Sequence, residues 1–189
     1  MLRLTVIALV ALLASLPLHA DAPLSNSAVS NAALTNGTLA GSTLEAGLPL
    51  ADSVVVRKSQ RMLYLMRNNK VLRSFKVSLG LRPDGHKQFE GDYRTPEGKY
   101  RLNRRNPNSE FFLSIQISYP NDADVAFARK KGQRPGGAIM IHGQPNTPRK
   151  PRDYYSNVDW TEGCIAVSNS DMVEIWLMTP PDTPIEIQP

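Results

Sequence analysis

From Asp52 onward, the apolar residues of this chain come in runs too short for helices and separated by turn-formers. No other feature limits its fold as much. Val54-Val55-Val56 and Met62-Leu63-Tyr64-Leu65-Met66 flank Lys58-Ser59-Gln60-Arg61, and Asn68-Asn69 then turns the chain into Val71 to Leu79, where apolar and polar residues roughly alternate. Short period-two runs between tight turns predict a β-meander. The alternation returns over Phe111 to Tyr119, with Phe112, Ser114, Gln116 and Ser118 opposite Phe111, Leu113, Ile115, Ile117 and Tyr119. Ala138 to Ile141, Cys164 to Val167 and Ile185 to Ile187 read as further strands. Two segments read as helices: Ala123 to Lys131, ending at Gly132, and Ser170 to Met178, with Ser170 as N-cap and Pro180-Pro181 as the stop. Gly80 to Gly98, rich in Gly, Pro, Asp and Lys, predicts a long ordered surface loop, and loops of that length in a packed domain are commonly functional. The expectation is one mostly-β domain over residues 52–189, an ordinary size for a single core.

Upstream of that domain the texture differs. Arg3, the apolar run Leu4 to Leu16, Pro17 and then Leu18-His19-Ala20 read as a secretory signal peptide over residues 1–20. The apolar run is shorter than the ~20 residues of a membrane span, so no stable span is expected once the signal is cleaved. An uncleaved anchor is the alternative. Residues 21–51 are dominated by Ala, Ser, Asn, Thr, Gly and Leu, and they read as a flexible linker that cannot bury enough surface to order itself. Leu34, Leu39 and Leu44 repeat every five residues, too few times to stack. The formal net charge of +5 is scattered, with no basic run interleaved with aromatics, so nucleic acid is excluded as a partner. The expected location is the periplasm.

Cys164 is the only cysteine in this chain. Exported proteins ordinarily hold cysteines in pairs, so a single one is an accident, an intermolecular bridge or a reactive thiol. Its neighbours favour the last. Gly163 allows a tight backbone in which main-chain N–H groups can face a reacting atom, and His142 stands upstream in Ile141-His142-Gly143. A thiol nucleophile, an imidazole base and backbone donors are the parts of acyl transfer. The competing readings are an inert buried cysteine and a structural histidine. One cysteine and three histidines offer no zinc-site spacing, so neither metal nor cofactor is expected. No Gly-x-Ser-x-Gly elbow is present, and no motif selects an acidic pair.

Three separated elements appear in order: Arg94-Thr95-Pro96-Glu97-Gly98-Lys99-Tyr100, Ile141-His142-Gly143 and Thr161-Glu162-Gly163-Cys164-Ile165. Together they resemble the YkuD-type L,D-transpeptidase catalytic domain, over about Asp52 to Pro189. The stretch Asp159 to Ala166 resembles a subgroup with Asp-Trp-Thr-x-Gly-Cys-Ile-Ala in place of Ser-His-Gly-Cys-x-Arg. The resemblance implies a small β-sandwich with a few short helices, acting on peptidoglycan stem peptides. It implies Cys164 as nucleophile, His142 as proton acceptor and donor, and Gly143 as the backbone that orients His142. Backbone N–H groups at Gly163 and Glu162 would hold the oxyanion. It also implies that carbapenems acylate Cys164. Two departures bear on the outcome: Glu162 stands where the family has histidine, and Ala166 where it often has arginine. The alternatives are therefore an L,D-type hydrolase acting on peptidoglycan or on a wall-linked protein, and a wall-binding module with weakened turnover. In the long loop and beyond it, His86, Arg94 and Arg134 are candidate substrate contacts. Lys87 could join them, and an ordinary surface charge is the plainer reading of each cation.

Overall fold

The computed structural model of the protein describes residues 47–189. The signal segment 1–20 and the linker as far as residue 46 lie outside the described residues. The meander forms as the alternation requires: β1 (Ser53–Arg57), β2 (Met62–Arg67) and β3 (Lys70–Lys76) run antiparallel in sequence. Asn68 and Asn69 take φ of 50° and 61°, the left-handed pair of a two-residue hairpin that asparagine tolerates. Asp52 pins that turn by accepting the Asn68 N–H at 2.7 Å. Val54, Val56, Leu63, Leu65 and Phe75 point inward at two-residue spacing and are buried.

The sheet continues with β4 (Gly98–Ser109), β5 (Phe112–Ile117), β6 (Met140–His142), β7 (Ile165–Ala166) and β8 (Thr183–Gln188). Its strand order is β3-β2-β1-β8-β4-β5-β6-β7. The two edges then meet, because the chain leaving β3 bridges to β7: Ser78 N–H donates to Ala166 O (2.9 Å) and Ala166 N–H to Ser78 O (2.8 Å). The sheet thereby wraps round a single core. Met172, Ile175 and Met178 of α3 (Asn169–Met178) are fully buried in that core with Leu79, Leu102, Ile115, Ile141 and Ile165. The shorter helices α1 (Asp122–Lys130) and α2 (Arg152–Asn157) complete the fold. No helix among the described residues is long and apolar enough to cross a membrane.

The mostly-β architecture with a few short helices is as expected, and the differences are local. β4 escaped the alternation reading because only Tyr100 and Leu102 in it are buried hydrophobics, the rest being charged or polar apart from Gly98 and Pro107. α2 is six residues with one buried side chain, Tyr155, too little for a periodic signal. α3 begins at Asn169, because Ser168 and not Ser170 caps it, accepting the Asp171 N–H at 3.1 Å. β7 starts at Ile165, so Cys164 stands just outside the strand, at the end of the preceding turn.

Candidate active site

β6 and β7 are parallel neighbours with Ile141 opposite Ile165 and His142 opposite Ala166. Cys164 precedes Ala166 by two residues, so it shares the face of His142, offset by about 6.6 Å along the strands and about 4.8 Å across them. Its Sγ lies 3.6 Å from Ala138 O, towards which the thiol donates, and the Met140 N–H bonds the sulfur. Ala138 holds φ of 54°, an unusual value for a residue with a side chain, at the point where its carbonyl meets the thiol. Burial pushes the Cys164 thiol above its ordinary pKa; the Met140 N–H and the Lys87 charge pull the other way, and Glu162 adds to the rise.

His142 is 4% exposed and rests against Phe111 (ring centroids 4.7 Å apart) and Trp160 (5.6 Å). Its Nδ1 is 2.7 Å from Gly143 O. A carbonyl oxygen only accepts, so Nδ1 carries a proton, and in the neutral ring Nε2 is left as the basic atom. Burial lowers the pKa to about 4 despite the Gly143 bond, so the ring is neutral at pH 7. Gly143 fits where no other residue would: a Cβ there would stand 2.6 Å from Asn169 Oδ1 and 3.1 Å from Phe111 O. Asn169 Oδ1 also accepts the Gln144 N–H at 2.8 Å, tying the strand after the histidine to α3.

The turn before Cys164 is built residue by residue. Asp159 accepts the Leu79 N–H (2.8 Å) and pairs with Arg61 through both Nε and Nη2. Trp160 Nε1 donates to Tyr155 O at 3.1 Å. Thr161, 4% exposed, donates from Oγ1 to Cys164 O (2.8 Å) and accepts the Gly163 N–H (3.1 Å). Gly163 has φ of +130°, and a Cβ would stand 2.6 Å from Arg94 O, so the glycine is required twice over. Its N–H, one of the two expected oxyanion donors, is thus already engaged by Thr161. The N–H groups of Glu162 and Cys164 have no hydrogen-bond partner among the described residues. The Glu162 side chain is exposed.

Residues 51–187 match the YkuD family, the L,D-transpeptidase catalytic domain. This chain belongs to that family. It is similar, at 32% identity over 109 residues, to YafK of Escherichia coli (strain K12), which is provisionally named an L,D-transpeptidase; the match covers 57% of this chain and 37% of YafK. Among solved structures it is similar to the helical cell shape determining protein Pgp2 of Campylobacter jejuni, with 26% identity and a TM-score of 0.54 over 71% of this chain and 46% of Pgp2. The L,D-transpeptidase of Stackebrandtia nassauensis shares the fold, with a TM-score of 0.51 at 12% identity over 79% of this chain and 62% of that protein. The chain spans little more than a third of YafK and about half of Pgp2.

The remaining candidate residues of this YkuD domain divide sharply. His86 has both ring nitrogens occupied, Nδ1 by the Glu97 N–H (2.9 Å) and Nε2 by Asp124 Oδ1 (3.0 Å), so neither is left for a ligand. Lys87 is not a surface charge: it is 3% exposed, pairs with Asp92 at 2.8 Å and donates to Phe89 O. Asp92 in turn accepts N–H groups from Gln88 and Arg94, and these bonds hold its pKa below the ordinary carboxylate value against the opposing effect of burial. Arg94 is half-buried, with its carbonyl against Gly163 and its guanidinium towards His86 O. Arg134 is 88% exposed beside Glu90. The sequence reading passed over Asp159, Trp160, Thr161 and Asn169 as positioning residues. The first three adjoin the Cys164 motif and could have been suspected on that ground. Asn169 carries no sequence signal.

Proposed function

We propose that this protein is an exported, cysteine-dependent L,D-transpeptidase of peptidoglycan. The observation that supports it best is the parallel β6–β7 register, which sets Cys164 and His142 on one face, with the Gly143 carbonyl engaging Nδ1 so that Nε2 is the basic atom. With the imidazole neutral and the thiol pKa raised, the resting pair is thiol and imidazole, not thiolate and imidazolium. Cys164 then attacks the carbonyl of the stem residue preceding a terminal D-amino acid while His142 Nε2 takes the thiol proton. The carbon–sulfur bond forms, the oxyanion faces the unpartnered N–H groups of Cys164 and Glu162, and one such donor is worth about 2.7–4 kcal/mol. The carbon–nitrogen bond breaks as His142 returns its proton to the leaving amine. An acceptor amine next loses a proton to His142, attacks the thioester carbon and expels the sulfur, which recovers the proton. Gly143 O keeps the ring oriented throughout, and Thr161 fixes the turn that carries Cys164.

The test is a digest of defined tetrapeptide muropeptides by the protein from residue 21 onward, beside Cys164→Ala, resolved by mass. Cross-linked dimers or exchanged terminal D-amino acids, absent with the variant, are expected. Shortened stems alone would make water the acceptor and the enzyme a hydrolase. No product with either protein would overturn the catalytic reading in favour of a wall-binding module.

A further inference from the structure

β4, β5, β6 and the Cys164 segment lie side by side, and their shared face can be read from the register. Asn106 is opposite Ser114, Ser114 opposite His142, Gln116 opposite Met140 and His142 opposite Ala166. Arg104 lies in the irregular stretch of β4 between Leu102 and Arg105, and alternation adds Cys164 to the face of Ala166. A cleft of about 330 Å³ is cut into this face, lined by Arg104, Arg105, Asn106, Ser114, Gln116 and Met140. It adjoins the candidate nucleophile through Met140, whose N–H bonds the Cys164 sulfur. No acidic side chain lines it.

Its two arginines are in different states. Arg105 is committed to α3, donating to Trp176 O at 2.7 Å and to Thr179 O and lying 4.8 Å from the Trp176 ring centroid. Arg104 is exposed, and among the described residues its guanidinium has neither an ion pair nor a hydrogen bond. The cleft therefore offers one uncommitted guanidinium beside amide and hydroxyl groups, a set that suits a planar carboxylate. Three inter-strand spacings, about 14 Å, separate the Arg104 backbone from that of Cys164. The arginine side chain covers part of that gap, leaving about 7 Å, or two extended residues of peptide.

We propose that this cleft is a carboxylate-reading subsite for the acyl-donor peptide, with Arg104 as a specificity-determining residue that recognises an anionic group about two residues from the scissile carbonyl. The inference rests on the acyl-transfer reading above. It places the recognition charge on β4 and not on the loop that carries Arg94 and Lys87.

The experiment uses two matched donor peptides, one with a free carboxylate at that position and one with a carboxamide. Turnover is measured for the wild type, Arg104→Gln, Arg104→Lys and the control Arg101→Gln, whose side chain engages Asp182 outside the cleft. Binding of both peptides to Cys164→Ala, with and without Arg104→Gln, is measured by calorimetry. The wild type should favour the carboxylate by about 10- to 100-fold in kcat/KM, the scale of charge-assisted hydrogen bonds. Arg104→Gln should erase the preference mainly through KM, Arg104→Lys should restore part of it, and Arg101→Gln should match the wild type. Equal use of both peptides by the wild type, a preference that survives Arg104→Gln, or no binding of either peptide to Cys164→Ala would overturn the subsite. A carboxylate preference in binding that Arg104→Gln removes, with no turnover by any variant, would uphold the subsite and overturn the acyl-transfer reading.

Discussion

Thr161 is the residue on which the Cys164 turn hangs, and its contribution can be worked out. Thr161→Val keeps the shape and removes the hydroxyl, leaving the Gly163 N–H and the Cys164 carbonyl without their partner. A buried polar group left unpaired costs about 1–3 kcal/mol. Cys164 is partly open to solvent, so the lower end applies, and the two losses together come to about 2 kcal/mol. With a urea m-value of about 2 kcal/mol/M, the unfolding midpoint should fall by about 1 M. Thr161→Ser retains both hydrogen bonds and loses one methyl group, about 0.8 kcal/mol. The valine variant should therefore be the less stable of the two, although it is the more apolar. It should also lose most of its turnover, because the Cys164 backbone is no longer held. The assay is urea unfolding followed by Trp fluorescence, with the rate of Cys164 alkylation by iodoacetamide as the report on the turn. A valine variant no less stable than the serine variant, with unchanged alkylation, would show that the hydroxyl does not organise the site.

The other predictions concern charge and packing. His142 is buried with its pKa lowered from 6.5 to about 4, so the unfolded chain binds the extra proton first as pH falls; stability is full above pH 6.5 and declines by about 3 kcal/mol towards pH 4. His142→Gln should flatten that decline, and urea midpoints at pH 4.5 and 7 are the check. Because burial raises the Cys164 pKa, its alkylation rate should keep climbing above pH 8.5; a plateau below pH 7 would reveal a preformed thiolate instead. Gly163→Ala drives a Cβ to 2.6 Å from Arg94 O at φ of +130° and should abolish turnover, whereas Gly47→Ala, with nothing within 4 Å, should leave turnover and unfolding midpoint unchanged. Lys58, 3% exposed at its side chain, donates to Gly85 O, Thr95 O and Glu97, so Lys58→Met should cost about 3 kcal/mol and raise proteolytic nicking within residues 80–98.

How far the sequence could be read depends on the kind of force involved. Strands with one buried face announce themselves, as Val54, Val56, Leu63 and Leu65 do at two-residue spacing, and Asn68-Asn69 marks its own hairpin through a backbone preference. β4 does not, because it is held by neighbours on both sides more than by apolar side chains of its own. Chemistry and motif suggested that Cys164 and His142 belong together, and the β6–β7 register sets both on one face. The assignment of Gly163 N–H as a free donor was not recoverable from residue types, since it depends on the Thr161 rotamer. The plainer reading of Lys87 as a surface charge fails for the same reason, and the bond of His86 to Asp124 was equally hidden: the partners Asp92 and Asp124 lie five and thirty-eight residues away, and spacing alone links neither pair.

β6 and β7 share only two paired positions, the shortest partnership in the sheet. So brief a ladder cannot by itself hold a thiol and an imidazole to within the fractions of an ångström that chemistry demands. That accuracy comes from side-chain pegs driven in from elsewhere: Asp159 from the turn, Thr161 beneath the cysteine, Asn169 from the helix, Phe111 from the hairpin. A scaffold arranged this way separates endurance from reactivity. The barrel-like wrap can persist while single pegs are exchanged, so a lineage could reshape the surroundings of Cys164 one residue at a time without reopening the question of how the chain folds.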